Sequence, residues 1–250
     1  MDPASGMFIT ATGTHCGKTW VTRGIATALQ AQHHPVTAIK PIETGCNPHP
    51  DDARKLAQAC DRLELVSPAA LYRASPPLAP YAATLTGEPP PPPLDQLVST
   101  IEHLTEGTFS LVEGAGGLLV PYDEHHTIAD LARLLRLPLL LVSPNRLGTL
   151  SHTLTAIESA LKRSLSIAAI VLTELDPRRE AAELSATPSQ RPGDRHTFDL
   201  ADISHASNAE VLRRVLQRKI PVLEFPHVAD DNTKLAEAAI EAGIIEILPV

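Results

Sequence analysis

The sequence contains few cysteines and no long apolar run. Its three cysteines, Cys16, Cys46 and Cys60, are too few and too far apart for a disulfide framework. The apolar stretch RLPLLLVSP at 136–144 has the length of a strand, far short of the roughly 20 residues that a membrane-spanning helix needs. No signal peptide is recognisable either, so we expect a protein of the reducing cytoplasm.

The chain also lacks an excess of positive charge. Its net charge at pH 7 is −8, which argues against a partner such as nucleic acid or an anionic membrane. The 250 residues are 43% hydrophobic and 20% charged, as in a soluble globular protein. We expect one domain over residues 7–250, because Met7 heads the first apolar strand, and we interpret residues 1–6 as a disordered leader or a cloning remnant.

Short apolar segments alternate with segments of helical periodicity along the chain. Strands that are apolar on both faces, alternating with amphipathic helices, indicate an α/β fold with a doubly wound, mostly parallel sheet covered by helices on both faces. Ligands of such folds bind at the carboxyl ends of the strands. The predicted strands are 7–10, 36–40, 109–113, 137–143, 167–172 and 220–225, and the predicted helices are 18–32, 94–104, 150–161, 207–219 and one after residue 231.

Two segments interrupt this alternation. Residues 87–95, GEPPPPPLD, contain five consecutive prolines and predict a stiff extended connector, with a proline motif for a binding partner as the alternative. Residues 176–207 are polar and predict a long surface loop or lid.

The stretch TATGTHCGKTW at 10–20 lies between the first predicted strand and the first predicted helix. It ends in Gly17-Lys18-Thr19 like a phosphate-binding loop, although Thr12 stands where the usual pattern has its first glycine. Backbone N–H groups and a helix N-terminus bind phosphate in such a loop, the lysine reaches the outer phosphates, and the hydroxyl ligates Mg²⁺. Taken by themselves, the last three residues also allow an ordinary strand–helix connection.

A second strand end carries an acid. In LVEGAGGLLVP at 111–121, Glu113 ends a buried strand, where a carboxylate can face a nucleotide-bound metal. The glycines that follow let the backbone approach a ligand closely, or form only a turn.

A third strand end carries a lysine. In IKPIETG at 39–45, Lys40 points toward the same edge with Thr44 in the turn, although such a lysine is more often solvated. HPDDARKLAQ at 49–58 adds Asp51 and Asp52 before a helix. We expect one of the two to cap that helix, and the local sequence leaves open which of them faces a metal.

Taken together, these motifs resemble the dethiobiotin synthetase family. The matching segments are ATGTHCGKT, KPIETG, the DDA that follows, VEGAGGLLVP and RLGTLSH, in this order, and the resemblance covers roughly residues 7–175. It implies a fold of the P-loop NTPase kind. The family loop is one residue longer than the common pattern, and its first glycine corresponds to Ala11 here.

The resemblance also implies residue roles. Lys18 would bind the β- and γ-phosphates of ATP, and Thr19, Asp52 and Glu113 would hold Mg²⁺. Lys40 and Thr44 would face the diamine substrate and its carbamate, and Lys18, Lys40 and Thr14 would form the catalytic set. The other implied residues are Thr14, His15, Cys16, Gly17, Gly116 and Thr173 for the nucleotide, and Gly117, Gly148, Thr149, Leu150 and Ser151 for the substrate, the last four holding its distant carboxylate across a homodimer interface.

The implied reaction is the ATP-driven closure of a cyclic urea in biotin biosynthesis. One amine of 7,8-diaminononanoate captures CO₂ as a carbamate, the carbamate takes the γ-phosphoryl group of ATP, and the second amine closes the ring and expels phosphate. Positioning and charge would carry the catalysis.

Three positions depart from the family pattern and keep other functions open. They are Ala11, His15 in place of a common acid, and Thr173 in place of an Asn that reads adenine, which leaves the choice of nucleobase open. A partitioning ATPase would carry a second lysine near Gly13, and a cobyrinic-acid-type amidase would need a further glutaminase domain. A nucleotide-binding regulator without activity is the non-enzyme alternative.

Overall fold

The computed structural model describes residues 5–68, 70–174 and 204–250. The strands are β1 (Gly6–Ala11), β2 (Val36–Ile39), β3 (Ile42–Thr44), β4 (Tyr72–Ala74), β5 (Phe109–Gly117), β6 (Leu139–Pro144), β7 (Ile167–Thr173) and β8 (Val222–Phe225). The α-helices are α1 (Lys18–Ala31), α2 (Asp51–Ala59), α3 (Pro80–Leu85), α4 (Leu94–Leu104), α5 (Ile128–Leu135), α6 (Thr149–Lys162), α7 (His205–Val215) and α8 (Asn232–Glu241). Short 3₁₀ turns occur at Leu63–Leu65 and Ile245–Ile247.

The central sheet has the strand order β2-β5-β1-β6-β7-β8. Every neighbouring pair in it is parallel, so the carboxyl ends of these strands lie at one edge. Since β1 lies between β5 and β6, the loop after β1 has the end of β5 on one side and the end of β6 on the other. The predicted α/β fold with a mostly parallel sheet is confirmed.

Most predicted elements of the central sheet agree with the structure within a few residues. Helix α4 has the predicted bounds, and β1 begins one residue earlier than expected, at Gly6. Strand β5 continues four residues beyond Glu113, to Gly117. The glycines permit this, because a Cβ on Gly117 would lie 3.2 Å from the Ala11 carbonyl oxygen of the neighbouring strand.

Several small elements were not predicted from the sequence. Strands β3 and β4 form a separate parallel pair of three residues each, too short to show periodicity. Helix α5 begins with a capping box between Thr127 and Asp130, a sequence signal that could have revealed it.

Two predicted segments fall partly outside the described residues. Residues 1–4 of the predicted leader and residues 176–203 of the predicted loop lie there. Helix α7 begins at His205, two residues before the approximate end predicted for the loop, Ser207. The proline run at 89–93 joins α3 to α4 without helix or strand, and the Tyr122 hydroxyl donates a hydrogen bond of 2.5 Å to the Pro92 carbonyl.

Helix α1, which follows the loop after β1, is fixed by close packing and by polar contacts of its side chains. It packs against α8 at Gly24, where a Cβ would lie 2.4 Å from the Leu235 carbonyl oxygen, so only glycine allows this approach. Arg23 of α1 is buried, pairs with Asp230 and donates to Asn232 Oδ1 at 2.9 Å. Among the residues described, no helix is long and apolar enough to span a membrane.

Candidate active site

The loop after β1 ends at a helix start that has no side-chain cap. Gly17 is the N-cap of α1 in the left-handed region, with φ 83°, and no side chain accepts from the first turn. A helix N-terminus carries N–H groups without intrahelical acceptors and a partial positive charge. The start of α1 therefore has the geometry of an anion site, as the sequence predicted.

Lys18 lies across this loop. Its side chain is buried and Nζ donates to the Gly13 carbonyl oxygen at 3.1 Å. Burial, with a smaller effect of the nearby Lys40 ammonium, lowers the pKa of Lys18 to about 8. A cation in this position is poorly solvated, and an anion bound in the loop would stabilise its charge.

Glu113 is the buried acid of the site. It is fully buried, and its Oε1 accepts from the Thr19 hydroxyl at 3.0 Å and from Lys40 Nζ at 2.5 Å. Its Oε2 has no hydrogen-bond partner among the described residues. A buried carboxylate oxygen without a partner, beside a threonine hydroxyl, fits a Mg²⁺ ligand set.

Lys40 joins the two carboxylates of the site. Its Nζ lies 3.1 Å from Asp52 Oδ2 as well as against Glu113. Burial by itself would lower the pKa of Lys40, but the charges of Glu113 and Asp52 hold it well above its usual value. Burial likewise works to raise the pKa of Asp52, but the charge of Lys40 and its hydrogen bond lower the pKa overall.

The structure distinguishes the two aspartates of α2. Asp52 faces Lys40, whereas Asp51 is largely exposed and lies 3.5 Å from Arg54. The prediction that one of them caps the helix is wrong, because both lie inside its first turn and the N-cap residue is Pro50. Glu43 caps the helix instead, accepting from the backbone N–H groups of Asp52 and Ala53 at 2.9 Å each.

The candidate metal ligands are thus two carboxylates and a hydroxyl. No group of three or more His, Cys, Asp or Glu side chains that could hold a metal occurs in the described part of the chain. Thr19, Asp52 and Glu113 suit Mg²⁺, which is usually bound by one or two carboxylates while phosphate oxygens and water complete its shell.

The end of β5 lies against the phosphate loop. Gly116 has φ 63°, and a Cβ on Gly117 would be 3.6 Å from the Gly13 amide nitrogen. Thr14 lies on the same side, 3.8 Å from the Cβ position of Gly116. Thr44 is half-buried at the end of β3, and His15 is exposed in the loop with φ 55°.

Thr173 lies beneath the loop. It is buried, and its hydroxyl donates to the Cys16 carbonyl at 2.9 Å, while a Cβ on Gly17 would be 3.1 Å from its methyl group. The Thr173 hydroxyl therefore stabilises the loop backbone at Cys16. Its predicted contact with the nucleobase stays a prediction.

The end of β6 links the phosphate loop to α6 through hydroxyl groups. Ser143 Oγ lies 3.2 Å from Thr12 Oγ1 and 2.7 Å from Thr149 Oγ1, and Thr153 donates to it at 2.9 Å. Neither Ser143 nor Glu43 was predicted as a site residue, because no motif distinguishes a buried serine or a strand glutamate.

The predicted carboxylate-binding stretch forms the start of α6. Gly148 is its N-cap with φ 92° and no side-chain cap. Thr149 is buried, Leu150 is half-buried, Ser151 is exposed, and the preceding Leu147 is 82% exposed. This start follows β6, the strand next to β1, so two glycine-capped helix starts share one edge of the sheet.

The chain is similar to known proteins along most of its length. A protein-family profile described as "AAA domain" matches residues 5–220. An ATP-dependent dethiobiotin synthetase of Anaeromyxobacter dehalogenans is 37% identical over 196 residues, covering 75% of this chain and 87% of that protein. Another ATP-dependent dethiobiotin synthetase, from Anaeromyxobacter sp. strain Fw109-5, is 35% identical over 224 residues, covering 86% of this chain and 96% of that protein.

Among solved structures, chloroplast FtsY from Physcomitrella patens aligns with a TM-score of 0.51 at 14% identity. The alignment covers 95% of this chain and 66% of that one. At this identity the likeness concerns the fold alone.

Proposed function

The chain belongs to the ATP-dependent dethiobiotin synthetase family, and from this premise we propose that it closes the cyclic urea of dethiobiotin from 7,8-diaminononanoate, CO₂ and ATP. The observation that carries the proposal is the convergence of three strand ends: Lys18 in its loop, Glu113 of β5 and Lys40 after β2. A phosphate site, a carboxylate for a metal and a second buried cation are the groups that this reaction needs.

The start of α1 and Lys18 would bind the triphosphate. The uncapped N–H groups after Gly17 suit phosphate oxygens. Lys18 would exchange its hydrogen bond to the Gly13 carbonyl for the outer phosphates, which compensate its buried charge better than a neutral carbonyl does.

Thr19, Asp52 and Glu113 would hold Mg²⁺. When bound, the ion would neutralise phosphate charge and orient the γ-phosphoryl group for in-line transfer. The unpartnered Glu113 Oε2 supports this assignment, because a buried anionic oxygen without a hydrogen bond is costly unless a cation compensates it.

Lys40 would hold the carbamate of the substrate. In the reaction, one amine adds to CO₂ and loses a proton, and a carbamate oxygen displaces ADP from the γ-phosphorus. The second amine then attacks the carbamate carbon, and phosphate leaves with the electron pair of the C–O bond. Lys40, which lies beside Glu113 and Asp52, would stabilise the carbamate and γ-phosphate charges, so its role would be electrostatic, and no protein nucleophile would be required.

The start of α6 would bind the distant carboxylate of the diamine. Its uncapped first turn after Gly148 favours an anion, and Leu147 beside it is exposed. We propose that a second copy of the chain covers this region, making the protein a homodimer, and that it works in the cytoplasm.

The test supplies purified protein with 7,8-diaminononanoate, bicarbonate and Mg²⁺ and offers each nucleoside triphosphate separately. Dethiobiotin is followed by mass spectrometry and phosphate by a colorimetric assay. Dethiobiotin formed in step with phosphate is the expected result, and comparing the nucleotides determines the base preference. Phosphate release without dethiobiotin, or neither product, would overturn the proposal.

A further inference from the structure

Helix α2 begins without a side-chain cap from its own segment. Its N-cap residue is Pro50, whose side chain has no hydrogen-bonding group. The first N–H groups of any helix lack intrahelical acceptors. At this helix Glu43 accepts from two of them, those of Asp52 and Ala53, one with each carboxylate oxygen.

Glu43 comes from a different element, strand β3, and is only 7% exposed. Its register partner in β4, Arg73, donates to the backbone carbonyls of Pro41, Tyr72 and Val66. Each oxygen of Glu43 accepts one of these backbone N–H groups, so the carboxylate is oriented toward the start of α2.

The capped residue is itself part of the site. The N–H group of Asp52 donates to Glu43, while its carboxylate, 41% exposed, lies 3.1 Å from Lys40 Nζ. Water competes with Lys40 for a carboxylate that is exposed to this extent. The position of the Asp52 carboxylate therefore depends on the backbone of the first turn of α2. If the first turn of α2 frays, Asp52 moves away from Lys40 and Thr19.

We propose that Glu43 is a positioning residue for the metal side of the active site, fixing the first turn of α2 so that the Asp52 carboxylate faces Thr19, Lys40 and Glu113. The inference rests on the proposed function for the identity of the metal. It makes Glu43 a determinant of divalent-cation affinity, because a ligand present in only a fraction of molecules lowers the apparent affinity by that fraction.

The test measures Mn²⁺ binding to the full chain with a non-hydrolysable ATP analogue, using electron paramagnetic resonance of free Mn²⁺. E43A removes both cap hydrogen bonds and should raise the Kd for Mn²⁺ about fivefold, which corresponds to about 1 kcal/mol. E43Q keeps one acceptor oxygen and should give a smaller increase, which serves if E43A does not fold.

Two further variants separate positioning from general stability. Asp231 accepts from the N–H groups of Thr233 and Lys234 at the start of α8, so D231A removes a comparable cap outside the site. D231A should lower Tm and leave the Kd for Mn²⁺ unchanged. In E43A/P50S a serine at the N-cap position supplies a local cap and should restore much of the affinity.

An unchanged Kd in both E43A and E43Q, or an equal increase in D231A, would overturn the inference, as would failure of P50S to restore affinity. This readout does not depend on turnover. A wild-type protein that binds Mn²⁺ but forms no dethiobiotin would therefore refute the proposed function and not the role of Glu43.

Discussion

Two helix starts lie side by side at the carboxyl edge of the sheet, and they differ in charge. Both α1 and α6 begin at a glycine with positive φ and without a side-chain cap. Beside the first lie the buried charges of Lys18, Lys40 and Glu113, whereas beside the second lie the hydroxyls of Ser143 and Thr149.

The difference matches the ligands that we propose. A triphosphate carries several negative charges, and a helix N-terminus of about half a unit charge cannot balance them without lysines and a metal. A single carboxylate at an exposed position needs only N–H groups and water. Both sites thus use the free N–H groups of a helix that starts at a glycine. The neighbouring side chains adapt each helix start to the charge of its ligand.

The largest expected effect comes from breaking the charged side. E113Q leaves Lys40 with one carboxylate, and removing one partner of a buried ion pair costs about 3–5 kcal/mol. We expect the free energy of unfolding, measured by urea denaturation, to fall by that order. D51N, which affects only the surface pair with Arg54, should change it by less than about 0.5 kcal/mol, and equal midpoints for the two variants would contradict the buried pair.

Replacing Lys18 tests the phosphate end without breaking an ion pair. Among the residues that the structure describes, its Nζ donates to one loop carbonyl and to no carboxylate, so K18M should fold. Loss of a cation at the transferred phosphoryl group should lower kcat by about 10²- to 10³-fold. K162M, on the surface of α6 beside Glu158, is the matched control and should keep wild-type kcat. A K18M enzyme within tenfold of wild type would contradict the role of Lys18.

Two matched glycine variants sharpen the comparison directly. G17A and G148A each place a side chain at positive φ, which costs about 1–2 kcal/mol. G17A also pushes a Cβ to 3.1 Å from the Thr173 methyl group, whereas the nearest atom to a Cβ on Gly148 is His152 Cε1 at 3.7 Å. We expect G17A to raise the KM for ATP and G148A to raise the KM for the diamine. Variants that raise the same KM would remove the distinction.

The smallest effect is a pH dependence confined to the phosphate end. The pKa of Lys18 is lowered to about 8, so its charge is present below that pH and is lost as the pH rises through it. The affinity for an ATP analogue, measured by calorimetry, should fall about twofold by pH 8 and about tenfold by pH 9. The pKa of Lys40 is raised, so Lys40 stays charged over this range. If the affinity for the ATP analogue did not change up to pH 9, the phosphate-binding role of Lys18 would be contradicted.

The sequence predicted which strand ends meet, because a strand–loop–helix pattern is local and parallel strands share an edge. It thereby identified Lys18, Lys40 and Glu113 as neighbours, and the structure brings them together. The choice between Asp51 and Asp52 required the helix phase, which depends on where α2 starts.

Local sequence patterns did not predict the side-chain contacts between segments that are far apart in the chain. The Thr173 hydroxyl reaches a carbonyl 157 residues away, and Ser143 contacts a threonine 131 residues away. Glu43 caps a helix nine residues later, whereas the capping patterns that a sequence shows involve residues at the helix start itself. Packing in three dimensions decides these contacts, and periodicity does not report it.

The Ser143 hydroxyl has one proton and two lone pairs, and three neighbours at hydrogen-bond distance. Thr153 donates to it, so of Thr12 and Thr149 one must donate and the other must accept. The row of hydroxyls therefore has two opposite polarities with the same heavy-atom positions. If the Thr12 hydroxyl changes from donor to acceptor, the Thr149 hydroxyl must change from acceptor to donor. The phosphate loop and the start of α6 are therefore coupled through rotations of hydroxyl groups alone.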